Sequence, residues 1–234
     1  MVMPGKEMTP EALYEMLEKG LTVTAAVPTI WLLLLNYLKE KKLKLSSLKR
    51  VIIGGSSCPK AVIEAFQKDF GVNVLHAWGM TEMSPLGTIC SFKPEVLELS
   101  EEEKISVQET TGHPPFTVEL KLTGDNGNQL KNDGKTQGKL WARGAAVVQK
   151  YLKFDEKAVD NDGWFDTGDV ATIDENGYMS ITDRSKDIIK SGGEWISSIE
   201  LENAAVGHPK IVEAAAIGVF HPKWDERPIL VVVC

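Results

Sequence analysis

The sequence predicts an α/β protein in three parts: a parallel α/β layer, an antiparallel β half, and the start of a small α+β unit. Three observations carry this. Apolar strands alternate with helical repeats up to about residue 80. From about residue 110, short alternating strands are separated by "GDNG" and "NDG" turns. After "ITDRSKDIIKSGGEW" a helical pattern and a new strand return.

Residues 10–19, "PEALYEMLEK", carry apolar positions at helical spacing, and Gly20 ends that helix before the strand "LTVTAAV". Pro28 opens "PTIWLLLLNYLKEKK", an amphipathic helix that finishes in lysines, as the helix dipole favours. "LKRVIIGG" reads as a buried strand. "CPKAVIEAFQKDFG" follows as a helix, with Pro59 suited to its first turn and Gly71 to its C-cap. "VNVLHAWG" is the next strand, and strand–helix–strand at this spacing indicates parallel pairing. "SEEEK", residues 100–104, reads as a solvated helix start. "TVELKLT", "GKLWARG" and "GYMSITD" are the antiparallel strands. "SSIELENAAVG" reads as a helix capped by Ser197 or Ser198, and "VEAAAIGVF" as a strand. A new small α+β unit is therefore expected to start near Lys186.

With 234 residues the chain is long enough for a substantial core. Its net charge of −7 argues against general attraction to nucleic acid, so a phosphate-bearing ligand must be held by a local device. Cys58, Cys90 and Cys234 are odd in number and share no metal-ligand spacing, which suggests reduced thiols in the cytoplasm. "TIWLLLLNYL" is too short for a transmembrane segment, and no secretory signal is read before it. Oligomeric state is not legible, and a homo-oligomer is admissible. Cys234 follows "PILVVV", a run expected to be a buried strand, so the chain is expected to be a piece of a longer protein.

Four stretches combine glycine with polar groups at expected element ends, where backbone can approach a ligand. They are "GGSSCP" (54–59), "HAWGMTE" (76–82), "GWFDTGD" (163–169) and "DRSKDIIKSGGEW" (183–195). Each has a structural reading of its own: a strand-to-helix loop, a helix N-terminus capped by Thr81 or Ser84, a tight turn with aromatic anchors, and a solvated linker. None contains the complete phosphate-cradling pattern of a P-loop.

Together with "GKLWARGAAVVQKYL", and in this order, these stretches resemble five successive motifs of the adenylate-forming acyl-CoA synthetase family, the fatty-acid–CoA ligases in particular. "SGGEWIS" is most similar to the medium-chain fatty-acid branch. The resemblance implies that residues 1–184 are the C-terminal part of a large adenylating domain and 185–234 the beginning of a small C-terminal domain. It implies ATP and AMP binding, Mg²⁺, and coenzyme A as co-substrate.

By the same resemblance, Gly54, Gly55 and Ser56 would wall the adenine pocket. Trp78, followed by Gly79, would stack on the base, Thr81 would lie at the phosphate, and Glu82 would help hold Mg²⁺. Many relatives carry tyrosine where Trp78 stands, so any hydrogen bond from that hydroxyl is lost here. Asp169 would accept from the ribose hydroxyls, and Arg184 would contact the ribose or the phosphate. Lys186 would be the hinge about which the small domain turns. Lys190 would act on the CoA-facing side, and Gly193 would lie beside the pantetheine tunnel.

The family's Ser/Thr/Gly-rich phosphate loop and its C-terminal lysine do not occur in the sequence. His76 reads either as acyl-pocket lining or as a core histidine. His113, Trp164 and Trp195 read as structural, and Cys58 as packing. The implied activity is an acid–thiol ligase that joins a fatty acid to ATP and passes the acyl group to CoA, with the 234-residue chain by itself expected to be inactive. Alternatives are a fatty-acyl-AMP or aryl-acid adenylating ligase, or a non-catalytic nucleotide-binding fragment.

Overall fold

The computed structural model describes residues 2–234 except 4, 207, 209 and 212. The chain folds as two compact units, Met1–Pro115 and Phe116–Cys234.

In the first unit, α1 (Pro10–Leu17) is capped by Thr9, whose Oγ1 accepts from Ala12 N at 3.3 Å. Strand β1 (Val23–Ala26) leads into α2 (Pro28–Lys41), which ends where Lys42 enters the left-handed region at φ 53°. β2 (Arg50–Gly54), α3 (Lys60–Glu64) and β3 (Asn73–Gly79) follow. Pro59 sits one residue outside α3, at φ −62° and ψ 137°, so it caps the helix rather than occupying its first turn. The expected single helix continues from α3 as a π-helical turn over Ala65–Asp69.

β1, β2 and β3 pair in parallel as the sequence requires. β4 (Leu86–Ile89) then adds to β3 antiparallel. Trp31, Leu34, Leu38 and Phe66 from the helical segments form one core with Val51 and Ile53 of β2, with Trp31 and Phe66 edge to face at 5.5 Å. After a short helix α4 (Pro94–Leu97), α5 (Glu101–Glu109) carries the expected solvated start, a capping box between Ser100 and Glu103.

The second unit begins with the antiparallel sheet β5 (Val118–Thr123), β6 (Gly138–Gly144), β7 (Phe165–Ile173) and β8 (Met179–Arg184). Next come the hairpin β9 (Ile189–Ser191) and β10 (Glu194–Ile196), helix α6 (Ser198–Val206), and strands β11 (Glu213–His221) and β12 (Asp225–Val233). These last four strands form one sheet in the order β10-β9-β12-β11. Ser197 caps α6, its Oγ accepting from Glu200 N at 3.1 Å. Gly207 and Val212, expected at the end of the helix and the start of the next strand, lie outside the described residues.

Three local expectations are corrected. "PILVVV" is a strand, but Ile229, Leu230, Val231 and Val233 are exposed rather than buried. β12 pairs along its length with β11 and is in register with β9 only at Asp225, and α6 packs chiefly on β11. "GWFDTGD" is no tight turn. Its last five residues are strand, and Gly168 at φ 71° takes up the local kink that would otherwise end it. No α-helix starts at Thr81 or Ser84. A single 3₁₀ turn over Thr81–Met83 reverses the chain into β4, because Met80 N donates to Pro85 O at 2.9 Å.

Candidate functional site

In the first unit the C-terminal ends of β1, β2 and β3 open onto a cleft of about 350 Å³. Ligands of open α/β sheets occupy this edge because loops leave the strands there without covering it. Val27, Gly54, Gly55, Trp78, Gly79 and Leu86 are among the residues that line it.

The glycines are there for stated reasons. A Cβ on Gly54 would lie 2.9 Å from the Ala77 carbonyl oxygen, so any side chain would force β2 from β3. Gly55 is at φ 91°, a conformation other residues adopt only with strain. A Cβ on Gly79 would collide with the Pro85 carbonyl oxygen where β4 returns. Trp78, half-buried, lies over Gly87, whose own Cβ would strike the indole. The result is a wall of backbone and small apolar groups beside one large aromatic.

Ser56 is exposed one residue beyond Gly55. Thr81 is exposed and Glu82 half-buried on the turn that leaves the cleft. Among the described residues no group of three or more His, Cys, Asp or Glu side chains gathers as a metal cage. Mg²⁺ commonly keeps its waters and shares one or two carboxylates with phosphate oxygens, so the single carboxylate of Glu82 fits such a site.

His76 is buried on β3 and is not among the residues lining this cleft. Its Nδ1 lies 3.1 Å from the Glu109 carbonyl oxygen, so that nitrogen donates, while Nε2 is buried with no partner. Burial holds its pKa below the usual histidine range. This is the environment of a core histidine, not of an acyl-pocket lining residue.

The second unit assembles two further groups. Asp169 on β7 stands opposite Arg184 on β8, and Arg184 Nη1 lies 2.9 Å from Asp169 Oδ1. The carboxylate is buried and the guanidinium half-exposed, so one end of the pair faces solvent. The chain then turns through exposed Lys186, closed by Asp187 N and Ile188 N donating to Arg184 O.

On the β9–β10 hairpin, Lys190 Nζ contacts both Asp125 oxygens at 3.0 and 3.1 Å and lies 5.0 Å from the Trp195 ring centre. The hydrogen bond from Lys190 depresses the Asp125 pKa. Gly193, at φ 89°, is exposed in the hairpin turn. Trp164 is held between Lys121 and Arg143, 4.4 and 4.5 Å from its ring centre, which fits its structural reading.

Within the first unit, then, Gly54, Gly55, Trp78 and Gly79 share one wall. Within the second, Asp169 pairs with Arg184, while Lys190 and Gly193 share a hairpin. Sequence reasoning missed Val27 and Leu86 in the cleft, and Asp125 as the partner of Lys190. Asp125 sits in "GDNG", where its only legible role is turn formation.

The sequence profile of AMP-binding enzymes matches residues 1–152. The chain belongs to the AMP-binding enzyme family. The profile of the AMP-binding enzyme C-terminal domain matches residues 200–234. This family member is 53% identical over 100% of its length to a 3-methylmercaptopropionyl-CoA ligase of Ruegeria lacuscaerulensis, and covers 43% of that protein. It is 47% identical, with the same coverages, to a medium-chain-fatty-acid–CoA ligase of Ectopseudomonas oleovorans. Among solved structures, o-succinylbenzoate coenzyme A synthetase of Bacillus subtilis, in complex with ATP and magnesium ion, superposes with a TM-score of 0.77 at 26% identity, covering 96% of this chain and 44% of that one. The chain thus spans less than half the length of these relatives. Among its described residues no helix is long and apolar enough to cross a membrane.

Proposed function

We propose that this chain carries the nucleotide-handling part of an ATP-dependent acid–CoA ligase. The observation that carries the reading is the glycine-walled cleft beside Trp78, followed at once by Thr81 and Glu82. A flat apolar slot with one indole suits a purine, and base–aromatic stacking contributes about 1–3 kcal/mol. Gly54 and Gly55 let the backbone approach the base, with Ser56 at the edge.

In the second unit Asp169 is the acceptor for ribose hydroxyls. Arg184, already paired through one nitrogen, keeps further N–H donors for ribose or phosphate. Glu82 would help to hold Mg²⁺ at the phosphates, where the ion would supply charge neutralisation. Thr81 offers a hydroxyl to the same phosphate.

In the first half-reaction a carboxylate oxygen of the acid attacks the α-phosphorus of ATP. The bond to pyrophosphate breaks, and acyl-AMP forms. In the second, the CoA thiolate attacks the acyl carbonyl and AMP leaves. The chain's residues position and stabilise charge; none acts as a covalent nucleophile. Lys190 and Gly193 serve the CoA side. We place the functional boundary at residue 185, with Lys186 as the hinge between the two half-reactions. The reading takes the enzyme as cytoplasmic, and its three free cysteines support that.

The acid is aliphatic, a fatty acid in the first instance. Relatives named for a short thioether acid and for medium-chain fatty acids support this class. The test is thioester formation from ATP, CoA and acids of graded length, 3-methylmercaptopropionate included, by the protein at the length of its relatives. ATP-dependent acyl-CoA with aliphatic acids is expected. No thioester with any acid would overturn the activity, and thioester with aryl acids alone would overturn the substrate class.

A further inference from the structure

Strand β8 and helix α6 are tied together by a buried group that the nucleotide reading does not use. Asp183 is 1% exposed. Its Oδ2 accepts from Ser198 N at 2.6 Å and from Ser198 Oγ at 2.8 Å, and its Oδ1 accepts from Arg184 N at 2.7 Å. Beside it, Ser197 Oγ donates to Thr182 O at 2.8 Å. Asp183 is therefore held by N–H and O–H donors at a helix N-terminus, where the dipole favours negative charge, rather than by a cation.

The covalent path between the two ends of this tie runs through the Lys186 turn and the whole β9–β10 hairpin. Rotation about Lys186 must turn Ser197 and Ser198 away from Thr182 and Asp183. Two buried hydrogen bonds and one part-buried bond would open together, and the carboxylate would lose both donors on its Oδ2.

We infer that Asp183 is the clasp on this hinge: one oxygen sets the Arg184 backbone that carries the guanidinium to Asp169, and the other holds the start of α6. The inference rests on the proposed hinge and nucleotide roles of Lys186 and Arg184. It adds a positioning residue that fixes how rarely residues 187–234 leave this arrangement. Asp183 touches no substrate. It acts through Arg184 on one side and Ser198 on the other.

The test places spin labels on exposed Cys234 and on Glu175→Cys, in the β7–β8 turn, and measures the distance distribution between them in the 234-residue chain. Cys58 and Cys90 are buried and stay unlabelled. The unaltered clasp is expected to give one narrow distribution. Asp183→Asn should raise a second, displaced population by about tenfold or more, because a hydrogen bond to a charged acceptor is lost.

An Asp183→Asn distribution identical to that of the parent overturns the clasp. Should that variant fail to fold, Ser198→Ala, which removes only the hydroxyl bond, is expected to raise the second population about threefold. An unchanged distribution there overturns it equally. Titration of the same proteins with AMP separates the two levels of the reading. A parent chain that binds no AMP sinks the nucleotide role, while the distances still decide the clasp. A parent that binds AMP should lose affinity about tenfold on Asp183→Asn.

Discussion

Arg184 and Asp169 face one another across paired strands, with Nη1 2.9 Å from Oδ1, and their burial is unequal: 3% of the aspartate side chain is exposed against 54% of the arginine. The carboxylate is thus fixed and the guanidinium has donors left over. Asp169→Ala should weaken AMP binding by roughly tenfold to several-hundredfold, since hydrogen bonds to a charged acceptor contribute about 1.5–3 kcal/mol. Titration calorimetry checks this. An AMP affinity equal to that of the parent would leave Asp169 as a partner of Arg184 only.

Two glycines of the candidate site should respond differently to the same change. Gly79→Ala places a methyl group against the Pro85 carbonyl oxygen, so β4 must shift, and stability should fall by about 1–3 kcal/mol. Gly193→Ala meets no atom within 4 Å and bears only the strain of φ 89°, about 1–2 kcal/mol. Urea titrations of both variants give the comparison. A larger loss for Gly193→Ala would contradict the steric account of Gly79.

His76 predicts a loss of stability on mild acidification. Its folded pKa lies below the ordinary 6.5 because burial disfavours the charged ring. The unfolded chain therefore takes up a proton first, and stability is complete above about pH 6.5 and falls as pH descends toward the folded pKa. Protonation would also place a second N–H, at Nε2, where it has no acceptor. Melting temperatures from pH 7.5 to 5 should drop, and His76→Gln should flatten that slope.

The cysteines predict the opposite limb. Burial pushes Cys58 up to about 12 and Cys90 up to about 11, from 9.0. Their folded-state contribution is complete below the unfolded thiol range and is lost as pH rises toward those values. At pH 8 a thiol reagent should label Cys234 quickly, and Cys58 and Cys90 only after unfolding. Rapid labelling of all three would refute their burial.

Proline at the proposed hinge should separate the half-reactions. The turn is closed by Asp187 N and Ile188 N, so Lys186→Pro removes neither bond yet fixes φ near −65°. In the protein at the length of its relatives, acyl-AMP formation should fall modestly and thioester formation from supplied acyl-AMP far more. Equal losses in both would remove Lys186 from the hinge role.

The features legible in the residues alone are local and periodic. Apolar spacing marked α1 and α2, continuous apolar runs marked β2 and β3, and glycine-bearing turns separated β5, β6 and β8. These signals survive without neighbours because they report backbone conformation within a few residues. The same holds for the order of the five motifs, which named the family from residues alone. The tertiary structure decided everything that depends on what lies opposite. It kept the chain in strand through Gly168, turned Thr81–Met83 into a 3₁₀ reversal, and left the valines of β12 exposed. It also brought Asp125 to Lys190 across 65 residues and Asp183 to Ser198 across 15. Such pairings are set by strand register and by the cover each sheet face receives, and no short window of sequence encodes either.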